Sequence, residues 1–311
     1  MYLITAIQAA IAYGLTYVLS PLTVPLCALT GALDKPDGIR KLNTYPIPRL
    51  GGLAFFTSAA FVLLSLVGSC PTVGAILTAG AILMICGVCD DTYGMPWQAK
   101  LISQVCSALV AILIAGVPSE LSFFGIITVP LSGAIGFIFV LVRLVFTMNA
   151  VNFADGLDGL AAGISAAALF SLAIFGSFNG RWSDARAAFI LGAAVLGFLP
   201  YNRYRARLFM GDCGSQFLGL SIAMLSLGTS RSGSFTVETS LFLAIPTLDT
   251  VFSVVRRIAK GKSPFFADKG HLHHLLLSLG VPHPDASHIL VALSALIALI
   301  GLLITAPPIS P

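Results

Sequence analysis

Charge is scarce in this sequence: 17 basic and 13 acidic side chains among 311 residues, 10% of the chain, where a soluble domain carries about 25%. So few charges cannot build a water-facing surface, which excludes an ordinary cytosolic globule, a disordered chain and a secreted disulfide scaffold. Glutamate is nearly absent, with Glu120 and Glu238 the only two. The six cysteines fall mostly inside apolar runs, and Cys86-Gly-Val-Cys89 has the C-x-x-C spacing without a second ligand pair. They are expected to be small core-filling thiols rather than a redox or metal motif.

Apolar residues are abundant instead, at 57%. They recur in runs at approximately 3–30, 50–68, 72–89, 97–116, 130–148, 160–178, 185–200, 214–230, 235–258 and 286–306. A membrane-crossing helix needs about 20 residues, so about ten spans consume nearly the whole chain and leave no room for a large soluble domain. The first run is too long for a removable signal and lacks a small-residue cleavage site. The expected fold is an all-α polytopic membrane protein, a single domain over 1–311, with about ten transmembrane helices and both termini on the non-cytoplasmic side. Segments 31–49, 90–97, 149–159, 201–213 and 256–285 then share the other face.

The basic residues test that arrangement. Thirteen of them, among them Lys35, Arg40, Lys41, Arg49, Lys100, Arg203, Arg205, Arg207 and Lys262, fall on the shared face, against Arg181, Arg186 and Arg231 on the other and Arg143 within a span. The positive-inside rule makes the shared face cytoplasmic, and orientation alone explains the bias. Acids contribute little to orientation, yet nine aspartates lie on the same face: Asp34, Asp37, Asp90, Asp91, Asp155, Asp158, Asp212, Asp268 and Asp285. A carboxylate at a membrane boundary is costly and is kept mainly where it has a partner or a task.

Four stretches concentrate the chemistry. Asp90-Asp91 closes the third run; on a helix the two point about 100° apart, one free to face a metal and the other a substrate, although an isolated pair equally suits a solvated helix end. Asn149-Ala-Val-Asn152-Phe-Ala-Asp155-Gly-Leu-Asp158-Gly alternates amides and carboxylates with glycine where a span emerges, oxygen donors of the kind Mg²⁺ prefers. Gly159 and Gly163 would also let helices approach closely. Gly211-Asp212-Cys213-Gly214-Ser215 offers a metal carboxylate and backbone N–H groups that could reach a diphosphate at a helix N-terminus. His271-Leu-His273-His274 follows Arg256, Arg257, Lys260, Lys262 and Lys269. A zinc site would want cysteines to complete a tetrahedron, so a cationic grip on phosphate or sugar fits these histidines better.

Together, from Asp34 to about His274, these ordered motifs resemble the polyprenyl-phosphate N-acetylhexosamine-1-phosphate transferases (glycosyltransferase family 4), the integral membrane superfamily that includes the WecA and TagO types and phospho-MurNAc-pentapeptide translocase. The His-x-His-His form with Ser263-Pro264-Phe265 upstream is similar to the WecA/TagO branch. The resemblance implies ten transmembrane helices and an active site in a cytoplasmic-face cleft of the bacterial cytoplasmic (inner) membrane. It implies transfer of a sugar 1-phosphate, GlcNAc-1-phosphate first among the candidates, from a UDP-sugar to polyprenyl (undecaprenyl) phosphate. The cofactor would be Mg²⁺, with Mn²⁺ as an alternative; UMP would be released, and a lipid-linked envelope glycan such as O-antigen or teichoic acid would begin. Its motifs carry catalytic roles onto Asp90, Asp91 and Lys100, the last with Gln104 in a Lys-x-x-x-Gln pattern. They carry metal ligation onto Asp212 and Asn152, and substrate contacts onto Asn152, Asp155, Asp158, Asn202, Phe209, His271, His273 and His274. One departure stands in the first loop, where Asp34-Lys-Pro-Asp-Gly-Ile-Arg40-Lys41-Leu-Asn43 has one residue more than the family pattern and Asn in place of His.

Partners implied are the UDP-sugar, the polyprenyl phosphate and the membrane, with no nucleic acid. The sequence leaves open the oligomeric state, a homodimer included, and a different UDP-N-acetyl deoxy-amino sugar as donor. Two rival readings fit less well. A CDP-alcohol phosphatidyltransferase would need Arg where Gly163 stands. A secondary transporter would place ionisable groups mid-membrane, and only Asp249 and Arg143 fall within spans.

Overall fold

The computed structural model describes residues 2–36, 45–123, 126–230, 234–261 and 270–306. Asp37, Arg40, Lys41, Asn43, Arg231, Lys262, Ser263, Pro264, Phe265, Asp268 and Lys269 lie outside the described residues.

Long apolar helices dominate: α1 (Tyr2–Thr30), α2 (Gly51–Leu63) prolonged by a 3-10 turn to Ser69, α3 (Pro71–Tyr93), α4 (Trp97–Ala115), α5 (Gly133–Ala154), α6 (Leu160–Phe178), α7 (Trp182–Asn202), α8 (Gly211–Gly228), α9 (Ala244–Ala259), the short α10 (Leu272–Ser278) and α11 (His283–Thr305). Punctuation in the sequence sets many ends. Pro71 stands at the first turn of α3, where its missing N–H costs nothing, and Gly94 (φ 74°) and Gly116 (φ 80°) stop α3 and α4.

Among the described residues, eight helices are long and apolar enough to cross a membrane: α1, α2 with its extension, α3, α4, α5, α6, α7 and α11. Every apolar run read from the sequence is helical, but the eighth and ninth fall short of that standard. The eighth is α8, whose Asp212, Gln216 and serines lower its hydropathy; nearly all of it is buried. Helices α2, α3 and α5 enclose it, so it needs no apolar outer face. A Cβ on Gly87 of α3 would collide with the backbone of Cys213, and one on Gly219 of α8 with the backbone of Met148 in α5. Small residues thus bring the helices close enough to seal this central one. The ninth run is split between a 3-10 turn (Val237–Leu243) and the 16-residue α9.

Two small sheets cap the ends. Antiparallel β1 (Leu33–Asp34) and β2 (Ile47–Pro48) lie beside the α3–α4 turn end, while β3 (Glu120–Phe123), β4 (Ile127–Pro130) and β5 (Ser234–Thr236) form a three-stranded sheet in the order β4-β3-β5 at the other. The cysteine expectation holds for half the set. Cys27, Cys70 and Cys213 are buried, but Cys89 and Cys106 are exposed and Cys86 is half-buried, because these three lie on outward faces of α3 and α4. Gly163 does allow a close approach, to Val291 of α11; Gly159 instead turns the chain (φ 73°) into α6.

Candidate active site

At the β1–β2 end, a cleft of about 700 Å³ is lined by residues from six separate segments, among them Asp34, Arg49, Asn152, Asp155, Asp212 and His273. Asp212 stands in the first turn of α8, and its carboxylate meets two cations. Lys100 Nζ from α4 lies 2.8 Å from Oδ2, and Arg49 Nη2 lies 3.6 Å from Oδ1.

The adjacent aspartates of α3 diverge as the helix geometry requires. Asp90 bonds Lys100 Nζ at 2.5 Å and accepts the Met95 N–H at 2.6 Å. Asp91 turns inward, where its side chain has 0% exposure. It accepts the backbone N–H groups of Asp212 (3.0 Å) and Cys213 (3.2 Å), and Arg49 Nη2 lies 3.2 Å away. A carboxylate from another helix therefore caps α8 and complements its dipole. Gly211 (φ 73°) makes room for that carboxylate, since a Cβ there would strike Asp91 and the Arg49 carbonyl. This corrects one sequence expectation: the N–H groups of Asp212 and Cys213 are taken by Asp91 and are not available to a diphosphate.

Behind the carboxylates runs a set of amides. Asn149 Nδ2 donates to Gln104 Oε1 at 2.8 Å, tying α5 to α4 one turn beyond Lys100. Asn152 Nδ2 donates to Ser215 Oγ at 2.8 Å, which fixes Asn152 against α8 beside Asp212. Asp155 and Asp158 follow the end of α5 and line the cleft. Burial first, then the negative charge of Asp212, pushes the Asp155 carboxyl up to about 7. Asp158 is partly committed, because its Oδ2 accepts the Ala206 N–H at 2.9 Å and its own N–H donates to His283 Nε2 at 3.0 Å. The loop 203–208 is thereby held over the cleft.

Two predicted substrate residues sit elsewhere. Asn202 is 1% exposed beneath that loop and donates to the Leu208 carbonyl at 3.1 Å; it braces the loop and does not line the cleft. His271 is buried against Asp249, with Nδ1 at 2.9 Å from Oδ2, while Asp249 Oδ1 accepts the Leu272 N–H at 2.9 Å. The Asp249–His271 pair anchors α10, and of the three motif histidines His273 and His274 line the cleft, with Phe209. Burial, then His274 and His271, lowers the His273 pKa to about 4, so this ring is neutral near pH 7.

Sequence reasoning missed Arg49 and His283. By sequence Arg49 is only an orienting charge, yet it lies within 4 Å of Asp34, Asp91 and Asp212. Burial opposes its charge, but Asp91, Asp212 and Asp34 together hold its pKa raised. Its signal was local: Pro48-Arg49 just precedes Gly51-Gly52, where the chain packs against the Phe209 and Met210 carbonyls. His283 lay outside every motif and reaches the cleft only through the fold of α11.

The donor set can be tested against a divalent ion. Among the described residues, no three His, Cys, Asp or Glu converge as a ready-made cage. Mg²⁺ seldom needs one: it is usually held by one or two carboxylates plus water and substrate phosphates. Asp212, with Asn152 and Asp155 on the same cleft wall, fits that mode.

Comparison with known proteins agrees with the geometry. Residues 73–230 match the model of glycosyl transferase family 4, which spans every predicted site residue except the three histidines. A Bacillus subtilis protein named as a probable undecaprenyl-phosphate N-acetylglucosaminyl 1-phosphate transferase is 35% identical over 274 residues, 86% of this chain and 75% of that protein. The decaprenyl-phosphate N-acetylglucosaminephosphotransferase of Mycobacterium tuberculosis is 35% identical over 294 residues, 83% of this chain and 72% of its own. A Salmonella typhi undecaprenyl-phosphate alpha-N-acetylglucosaminyl 1-phosphate transferase is 29% identical over 312 residues, 97% of this chain and 84% of its own.

Proposed function

The chain belongs to glycosyl transferase family 4, and from that premise we propose that it transfers GlcNAc-1-phosphate from UDP-GlcNAc to a polyprenyl phosphate in the membrane, releasing UMP. The observation that carries this reading is Asp212, a carboxylate at the mouth of an 18-residue central helix, flanked by Lys100 and Arg49. The orientation of the chain is part of the proposal. The cleft opens to the cytoplasm, α8 and α9 complete ten spans, and both termini lie on the opposite side. The basic bias of the loops supports it. The product would begin a lipid-linked envelope glycan.

The reaction exchanges one phosphoanhydride for another. An oxygen of the lipid phosphate attacks the sugar-bearing phosphorus of the nucleotide sugar, and the bond to the UMP oxygen breaks. Bringing two anions together is the main difficulty, so positioning and charge neutralisation supply most of the catalysis. When bound to Asp212 and Asn152, Mg²⁺ would neutralise charge on the diphosphate. Lys100 meets the incoming lipid phosphate from the Asp90 side, and His273, His274 and Arg205 face the donor across the cleft.

A phosphate monoester is largely a dianion at neutral pH, so no strong base is required. The hydrogen bonding agrees: the oxygens of Asp90 are engaged by Lys100 and Met95, and those of Asp91 by α8 and Arg49. Direct attack is therefore favoured over an aspartyl-phosphate intermediate, with Asp90 orienting Lys100 and Asp91 positioning Asp212.

The test is UMP release by the purified chain with undecaprenyl phosphate, Mg²⁺ and a panel of UDP-sugars. UDP-GlcNAc should give the fastest release. Preference for a deoxy-amino sugar would change the donor, and CMP release from CDP-diacylglycerol alone would overturn the class. Exchange of sugar phosphate without lipid acceptor would contradict direct attack.

A further inference from the structure

The end of the bundle opposite the cleft carries a second recess, which the transfer reaction does not use. It is an apolar groove of about 320 Å³ between α1, α6 and α7, lined by Tyr2, Ala173, Ile174, Ser177, Trp182 and Arg186 among others. Among the described residues, Arg186 is its only charged lining residue. Its Nη2 donates to Gln8 Oε1 at 2.9 Å, its Nε is buried without a partner, and no carboxylate among the described residues pairs with it. Arg181, five residues earlier, has Asp184 at 3.4 Å. A cation within a membrane-crossing helix is costly and is kept mainly where it has a partner or a task, and Gln8 supplies no charge to answer Arg186.

The surroundings set the height and the chemistry. Trp182 and Tyr2 meet edge to face with ring centroids 6.1 Å apart, the kind of aromatic pair that settles at head-group level. Arg186 lies one turn inside that level, about 6 Å along α7, within reach of a lipid phosphate by extending along its stem. A soluble anion would satisfy the guanidinium but leave the apolar wall uncovered; an anionic phospholipid satisfies both.

We propose that this groove binds an anionic phospholipid of the leaflet at the far end, with its phosphodiester on Arg186 and an acyl chain along Ala173, Ile174 and Ser177. The site is separate from the cleft and independent of the transferase reading.

Native mass spectrometry of the full chain in detergent tests it, with phosphatidylglycerol and phosphatidylcholine as probes. The native chain should retain phosphatidylglycerol about fivefold more strongly, the effect of one basic side chain near the head groups. Arg186→Lys should keep that preference and Arg186→Gln should lose it. Ser177→Phe, which fills the groove and leaves Arg186 in place, should reduce retention of both lipids. UMP release identifies folded variants, and if Arg186→Gln fails to fold, the other two carry the test. Equal retention of the two lipids by the native chain, an unchanged preference in Arg186→Gln, or undiminished retention in Ser177→Phe would overturn the proposal.

Discussion

The two ends of the bundle treat charge differently. At the far end, Asp184 is met by Arg181 at 3.4 Å and by the Cys70 thiol at 3.3 Å, and Arg181 Nε also donates to the Gly228 carbonyl. Arg143 donates to Ser226 and Ser240 and lies 4.2 Å from the Phe235 ring centre. Arg186 in the groove apart, these charges are settled locally and leave little demand for a ligand. At the cleft, Asp34, Asp90, Asp91, Asp155 and Asp212 are grouped around Arg49 and Lys100. Among the described residues, carboxylates there outnumber the cations beside them. Paired charge at the far end is structural; surplus negative charge at a cleft wall is what a divalent ion and its phosphates can use.

Substitutions can break or sharpen that contrast. The largest effect should come from Asp212→Asn, which keeps the shape of the side chain and removes its charge. We expect UMP release to fall by about three orders of magnitude, with an unchanged far-ultraviolet circular dichroism spectrum. Activity near the native level would remove Asp212 from the metal role.

Asp91→Asn should act differently, because an amide has one acceptor where the carboxylate offers two to the end of α8. A stability loss of about 1–3 kcal/mol is expected, read as a lower melting temperature together with weaker Mg²⁺ dependence of turnover. Loss of activity with native stability would make Asp91 a direct participant instead.

Asp155 supplies a pH test. Its carboxyl has a pKa of about 7 in the folded protein, above its ordinary value near 4. The fold therefore favours the protonated form, and this group's contribution to stability is lost as pH rises from about 4 through 7. In Mg²⁺-free detergent solution, Asp155→Asn should change the melting temperature little at pH 4 and raise it at pH 8. The same shift at both pH values would contradict the burial-driven account.

Smallest of all should be Arg181→Gln at the far end. The Arg181 side chain is 40% exposed and the buried Asp184 keeps its bond from the Cys70 thiol, so the cost is about 1 kcal/mol, with UMP release unaffected. A large activity loss would show that the two ends are coupled.

Much of this was legible in the chain. The helices follow from long apolar runs and their glycine and proline ends, and the cleft aspartates stood out because acids are so rare. The motifs named the chemistry, and Asp90, Asp91, Lys100, Asn152 and Asp212 do gather within one site. Periodicity could not show that Asn202 and His271 face away from the cleft, since both lie in loops or at helix ends where no repeat defines a buried side. Nor could it show that the polar eighth run is enclosed, because enclosure depends on Gly87 and Gly219 meeting partners from distant helices.

The sequence by itself determined the solvent, the class of fold and the reaction family. Those depend on composition and on short motifs, and both are properties of the chain in order. Tertiary structure alone decided which of two adjacent aspartates holds Lys100 and which caps α8. It also decided that Arg49 and His283 belong to the site and that Arg186 meets no carboxylate among the described residues. Each of these depends on distances between segments far apart in the chain, and in a low-dielectric interior those distances set the strength of every charge interaction.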